Sequence, residues 1–308
     1  MSEATGIDRL TVRTDDLELA ALAWGPSSGP LALLLHGYPD SPHSWRAVAE
    51  QLAAQGYRVV APWTRGYAPS DVPRDGSFHI GALAHDAREL HRVLGGDGRA
   101  VLVGHDWGAV AAHAVAGTDG QPFRRIVAMS VPPLGAMLAH DDGRLAWLGR
   151  VGRQVLLSWY MAFQQVPVLS ERSLDRLVPL LWRRWSPGLR SGVEVDAAWE
   201  AIRDRRSEVL RYYRHAAPWS RVPRRYRAAQ AGVARRPVVP VLYLHGVDDG
   251  CILRDWSDRT LSVLPPGSRV ETVPDAGHFL QVEQPDVVAA HVLAFVGVPD
   301  GDAERADP

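Results

Sequence analysis

Lysine is absent from this 308-residue chain, so all 34 of its basic residues are arginine. Together with abundant alanine, this usage reflects a GC-rich genome more than a function. Cysteine is nearly absent too. The single Cys251 excludes an internal disulfide, and with it a disulfide-built extracellular scaffold. Asp248 and Asp249 beside it disfavour a thiolate, so Cys251 reads as structural. Long apolar runs are missing. The longest aliphatic stretch, Leu31 to Leu35, has a strand's length and falls far short of a membrane span. Met1 to Leu10 lacks the apolar core of a signal peptide, so the expected location is cytoplasmic. A net charge of −1 gives no global reason to expect nucleic acid or an acidic membrane as partner. No internal repeat or heptad is evident.

What is present is the balance of a globular protein, 46% hydrophobic and 22% charged. Apolar runs bounded by turn residues predict strands at Leu17–Trp24, Leu31–Leu35, Tyr57–Ala61, Ala100–Val103, Arg125–Ser130, Val238–Leu244 and Ser268–Val273. Helical patterns lie between several of them, at Ser44–Gln55, Ile80–Leu94 and Asp286–Val296. Such alternation predicts βαβ units and a mostly parallel sheet. It fails between about Leu134 and Arg236. That stretch is rich in Trp and Arg, and Pro167, Pro179, Pro187, Pro218 and Pro223 break it into short helices. The expected organisation is an α/β core over 1–133 and 237–298, a helical insertion over 134–236 and a flexible tail over 299–308. Residues 1–4 are expected to be frayed. The arginine excess over 150–236 fits a solvated helical face, or else a field that attracts anionic substrates.

One segment carries chemistry. Ala100-Val101-Leu102-Val103 runs into Gly104-His105-Asp106-Trp107-Gly108 and then into the small-residue helix Ala109 to Ala116. This strand, sharp turn and helix match the G-x-nucleophile-x-G elbow, with Asp106 where serine is commoner. The glycines let strand and helix approach, and the helix N-terminus favours an anion. Asp in place of Ser redirects the reaction. A serine attacking saturated carbon leaves an inert ether, whereas a carboxylate leaves an ester that water can cleave. Epoxides and carbon–halogen bonds are the natural targets. The competing reading of Asp106 is a helix cap.

Three further segments complete the candidate site. His278, in Asp275-Ala276-Gly277-His278-Phe279, is the candidate base, last in chain order as this arrangement requires. Asp249, after Leu242-Tyr243-Leu244-His245-Gly246, is the candidate acid that orients it, with Asp248 as the alternative. In His36-Gly37-Tyr38-Pro39-Asp40, the Tyr38 backbone N–H pairs with that of Trp107 as a candidate oxyanion hole. His36 and Pro39 shape that loop, in which Tyr38-Pro39 is a candidate cis bond. His79, His85 and His91 lie six apart, which suits no compact metal site, and are expected on the surface.

These residues resemble the epoxide hydrolase branch of the α/β-hydrolase superfamily over about residues 10–298. The matching pieces are His36-Gly37-Tyr38-Pro39, Arg65-Gly66-Tyr67, Gly104-His105-Asp106-Trp107-Gly108, Gly246 with Asp249, and Gly277-His278-Phe279. The resemblance implies an α/β-hydrolase fold with a helical cap. It also implies two cap tyrosines on the epoxide oxygen. Ser158-Trp159-Tyr160 and Arg211-Tyr212-Tyr213-Arg214 resemble their settings, which assigns Tyr160 and Tyr213, with Tyr212 competing. A tyrosine hydroxyl suits the task, because it is neutral near pH 7 and able to give a proton to a developing alkoxide. Trp63 and Ala68 depart from the Asp and Gly more usual in the family. Trp107 is shared with haloalkane dehalogenases, which usually carry Asn where Tyr38 stands.

The expected activity is hydrolysis of a small epoxide to a diol, with no metal or organic cofactor and no nucleic-acid or membrane partner. Oligomeric state stays open, a homodimer included. The alternatives are a haloalkane or haloacetate dehalogenase, a pathway-specific biosynthetic hydrolase, and a non-catalytic ligand-binding protein. Most of Trp147, Trp159, Trp182, Trp185, Trp199 and Trp219 are expected to pack the cap.

Overall fold

A computed structural model describes residues 6–140, 143–189, 192–217 and 219–299. Apart from Pro299, the expected tail falls outside them, as do the N-terminal four residues and Pro218.

The core is one eight-stranded sheet in the order β1-β2-β4-β3-β5-β6-β7-β8. Its strands are β1 (Asp8–Arg13), β2 (Glu18–Trp24), β3 (Leu31–Leu35), β4 (Arg58–Pro62), β5 (Val101–His105), β6 (Arg125–Met129), β7 (Val241–Gly246) and β8 (Arg269–Val273). β2 runs antiparallel to both β1 and β4, and every other pairing is parallel. Parallel strands are covered on both faces and so read as unbroken apolar runs. Each residue of β3, β5 and β7 is buried. β1 alternates polar and apolar residues from Arg9 to Arg13 at the sheet edge, and no strand is expected there from the sequence. Prolines set one boundary: Val238 and Val239 are excluded from β7, which begins after Pro240.

Helices flank this sheet. α1 (Arg46–Ala54) follows a 3-10 turn at Pro42–Trp45 and packs against the last helix, Pro285–Val296. α2 (Ile80–Val93) and α3 (Trp107–Ala116) pack together. Seven helices lie between β6 and β7 among the described residues. They are α4 (Leu134–Leu138), α5 (Arg144–Leu157), α6 (Trp159–Phe163), α7 (Leu169–Trp185), α8 (Val193–Ile202), α9 (Arg206–His215) and α10 (Arg227–Gly232). α10 lies against α2 and α3.

Pro179 does not break α7 but sits inside it. Leu177, Val178, Leu181, Trp182 and Trp185 bury that helix's face, and each fully buried large side chain contributes about 1.5–3 kcal/mol. That outweighs one lost backbone hydrogen bond. Two of the three evenly spaced histidines are also placed differently from expectation. His79 and His91 are buried, while His85 is half-exposed beside Asp16. His79 is covered by Ser220 and by the stacked ring of His215, and His91 by Phe123.

Chain reversals bring four loops to the carboxyl ends of the parallel strands. The loops after β3, β5, β7 and β8 carry Tyr38, Asp106, Asp249 and His278, which is where α/β sheets place their sites.

Candidate active site

Asp106 occupies the turn between β5 and α3 at φ 51° and ψ −116°. A side chain in this region is strained and must be held there by its surroundings. A Cβ on Gly104 would strike the Gly108 carbonyl, and one on Gly108 the Leu35 carbonyl. The two glycines therefore set how closely β3, β5 and α3 meet. The Asp106 carboxylate makes no capping bond to α3, which removes the helix-cap alternative. Its Oδ1 instead accepts the Tyr38 backbone N–H at 2.7 Å. Gly37 must lack a Cβ for this, because one would collide with Oδ1. Trp107 is the first residue of α3, so its N–H belongs to the helix turn that has no internal partner. The Tyr38-Pro39 bond is cis. His36 lies beneath: Nδ1 donates to the Gly37 carbonyl at 2.9 Å, and Nε2 accepts the Thr64 N–H at 3.1 Å.

His278 is fully buried, with Nδ1 2.9 Å from Asp249 Oδ2 and Nε2 3.6 Å from Asp106 Oδ2. Nε2 has no hydrogen-bond partner at that separation. The other Asp249 oxygen accepts the N–H groups of Cys251 at 2.7 Å and Ile252 at 3.0 Å. Asp248 is exposed, and Asp249 is the one of the two acids that faces His278. Burial opposes the charge on His278, yet Asp249 and Asp106 raise its pKa from 6.5 to about 10. Burial likewise opposes ionisation of Asp249, and the facing His278 holds its pKa below the ordinary carboxylate value.

Two residues outside the expected set fix the His278 loop. His105 Nε2 donates to the His278 carbonyl at 2.8 Å, and Ser130 Oγ donates to the same oxygen at 2.7 Å. The variable position just before the nucleophile in the elbow motif gives no sequence signal for this. The backbone carbonyl of Trp185, at the end of α7, accepts the N–H of His278 at 2.9 Å and of Gly250 at 3.0 Å. Its ring packs edge-on against His278 at 5.1 Å and Tyr160 at 4.8 Å. Trp182 stacks on Phe279 at 3.5 Å and donates to the Pro39 carbonyl at 2.6 Å. These two tryptophans thus hold the insertion to the site, while Trp219 is largely exposed.

Tyr160 and Tyr213 converge above Asp106. Their rings meet at 5.7 Å, and Tyr213 also contacts Tyr38 and Trp107, each at 5.2 Å. The Tyr213 hydroxyl is buried without a partner. Tyr212 points away and donates to the Arg65 carbonyl at 2.8 Å. The Tyr160 hydroxyl lies 3.4 Å from Cys251 Sγ. Burial, reinforced by Cys251 and Asp106, pushes the Tyr160 pKa well above 10. Burial does the same to Tyr213, so both phenols stay protonated donors. Arg65, in the piece Arg65-Gly66-Tyr67, is buried and pairs with Asp86 through Nε at 2.6 Å and through a second nitrogen at 2.5 Å. In the arginine-rich run, Arg214 of α9 pairs with Glu171 of α7, and Arg203 pairs with Glu200.

A strained acidic elbow on a parallel sheet, backed by an acid–histidine pair, agrees with the sequence match to the family described as alpha/beta hydrolase fold over residues 30–285. The chain belongs to that family. Among its relatives, Epoxide hydrolase A of Mycobacterium tuberculosis is 29% identical over 314 residues, covering 92% of this chain and 96% of that protein. The AB hydrolase superfamily protein YfhM of Bacillus subtilis is 28% identical over 301 residues, covering 94% and 98%. The crystal structure of Epoxide Hydrolase A from Mycobacterium thermoresistibile superposes with a TM-score of 0.74, covering 94% of this chain and 98% of that one. At 22% identity, that likeness shows the fold. Among the described residues, no helix is long and apolar enough to cross a membrane, and no group of three or more His, Cys, Asp or Glu side chains could hold a metal.

Proposed function

We propose that the chain hydrolyses a small epoxide to a vicinal diol through an ester on Asp106. One observation carries this reading. A carboxylate, not a hydroxyl, occupies the elbow, with one oxygen on the Tyr38 N–H and the other facing His278. The resemblance to proteins named epoxide hydrolases supports it. Residues 134–236 then act as the cap, contributing Tyr160 and Tyr213.

In the first step an Asp106 oxygen attacks an epoxide carbon and the C–O bond breaks. Tyr160 and Tyr213 hydrogen-bond the departing oxygen, and one of them gives it a proton. The ester that forms carries no charge on Asp106. His278 loses the carboxylate that helped raise its pKa, and its proton returns to the tyrosinate. Neutral His278, oriented by Asp249, then removes a proton from water. The hydroxide attacks the ester carbonyl, and the tetrahedral oxyanion sits on the N–H groups of Tyr38 and Trp107. Collapse expels the diol as it takes the proton from His278, and the carboxylic acid left on Asp106 passes its own proton to His278, which restores the resting pair. Every group required is a side chain or backbone amide of this chain.

The test is single turnover in oxygen-18 water with an epoxide and haloalkane panel. Label entering the Asp106 carboxylate while diol forms is the expected result. Halide release without diol from epoxides would assign dehalogenation instead. Tight binding without turnover would leave a ligand-binding protein. Activity confined to one elaborate pathway compound would mark a biosynthetic hydrolase.

A further inference from the structure

Gln164 follows directly on α6 and is fully buried, yet neither its amide oxygen nor its amide nitrogen has a hydrogen-bond partner. Buried amides are normally paired, because leaving them unmade forfeits their contacts with water. The Gln164 amide lies against the Tyr38 hydroxyl, without good bonding geometry. That hydroxyl is itself fully buried and unpartnered.

The position of Gln164 is built. Its N–H donates to the Tyr160 carbonyl at 2.9 Å. Its own carbonyl accepts Arg214 Nε at 3.1 Å. The neighbouring Gln165 side chain donates to the Tyr213 carbonyl at 3.1 Å. The segment is therefore tied to both candidate tyrosines. The Tyr38 ring, in turn, rests on Tyr213, and its backbone N–H holds Asp106. The amide and the hydroxyl thus sit about one tyrosine side chain from the nucleophile, beside the Tyr213 ring.

We infer that Gln164 and the Tyr38 hydroxyl form a polar subsite for the substrate's second functional group, a neutral hydroxyl or amide carried a few bonds from the epoxide ring. This rests on the epoxide reading above and narrows it. An amide both donates and accepts, and so does a phenol, so a substituent with one O–H or N–H and one lone pair satisfies both. A purely hydrocarbon chain would leave them unpaired. Sites with buried polar groups reject analogues that lack the matching group.

The experiment compares a six-carbon terminal epoxide with the same epoxide bearing a hydroxyl at its far end, alongside the two corresponding hydrolysis products. Calorimetry of the products reads the subsite independently of turnover. Wild type is expected to bind the hydroxylated product, and to turn over the hydroxylated epoxide by kcat/KM, on the order of tenfold better. Gln164→Leu should erase most of that preference while changing the plain compounds little, and Tyr38→Phe should erase it as well. Equal losses for plain and hydroxylated compounds would show a merely structural role and overturn the subsite. So would a wild type that binds both products equally, or neither. If the binding preference holds and neither epoxide is hydrolysed, the subsite stands and the epoxide assignment falls.

Discussion

His278 Nε2 stands 3.6 Å from Asp106 Oδ2, at the opposite end of the ring from the 2.9 Å contact with Asp249. One imidazole therefore answers to two carboxylates, only one of which keeps its charge through the proposed reaction. Removing a neighbouring negative charge lowers a histidine pKa. Formation of the Asp106 ester should move His278 down from its resting value of about 10. Stopped-flow kinetics should show ester hydrolysis rising with pH through a midpoint clearly below that of the free enzyme. A single shared midpoint near the resting value would contradict the coupling.

The same pair bears on stability. His278 has a folded pKa raised from 6.5 to about 10, so its contribution is complete below 6.5 and is lost as pH rises through about 10. Asp249, shifted downward, contributes above the unfolded carboxylate range and loses that contribution in acid. The wild-type Tm should fall between neutral pH and pH 10 more than that of His278→Gln. Parallel melting curves for the two would contradict this.

Asp249→Asn should leave ester formation largely intact and slow ester hydrolysis about a thousandfold or more. Intact-mass measurement should find the adduct accumulating on Asp106. Asp248→Asn, altering an exposed side chain, should turn over as wild type does.

Tyr212 and Tyr213 separate by opposite signatures. Tyr213→Phe removes a hydroxyl with no partner, so Tm should hold or rise while ester formation slows about a hundredfold. Tyr212→Phe strips the Arg65 carbonyl of its donor, costing about 1–3 kcal/mol by chemical denaturation with a smaller effect on rate. Reversed signatures would exchange their roles.

Asp86→Ala leaves the Arg65 guanidinium buried without its carboxylate. Unfolding free energy should fall by about 3–5 kcal/mol. A loss below 1 kcal/mol would mean that water reaches Arg65.

The elbow was legible because its constraints are local: two glycines, one acid and a strand–helix boundary lie within five residues. The choice between Tyr212 and Tyr213 was not, since adjacent residues on α9 share composition and differ only in which way they point. Asp248 and Asp249 posed the same difficulty, since only the fold shows which of them faces His278. The burial of His79 depends on Ser220 and His215, more than a hundred positions away. β1 escaped notice because an edge strand with charged alternation resembles a loop in sequence. Gln164 carried no motif, and its interest lies wholly in what it fails to touch.

The Trp185 carbonyl has a consequence for how the enzyme can change. One oxygen atom receives both the loop that bears the candidate acid and the loop that bears the candidate base. The end of α7 is thus a shared anchor for the hydrolytic half of the site. Excising the insertion would leave the His278 loop to His105 and Ser130 and would remove the oxygen that it shares with the Gly250 loop. Gln154 of α5 adds a second tie, donating to the Cys251 carbonyl and accepting the Leu253 N–H, each at 2.9 Å, so α5 and the end of α7 both brace the loop after β7.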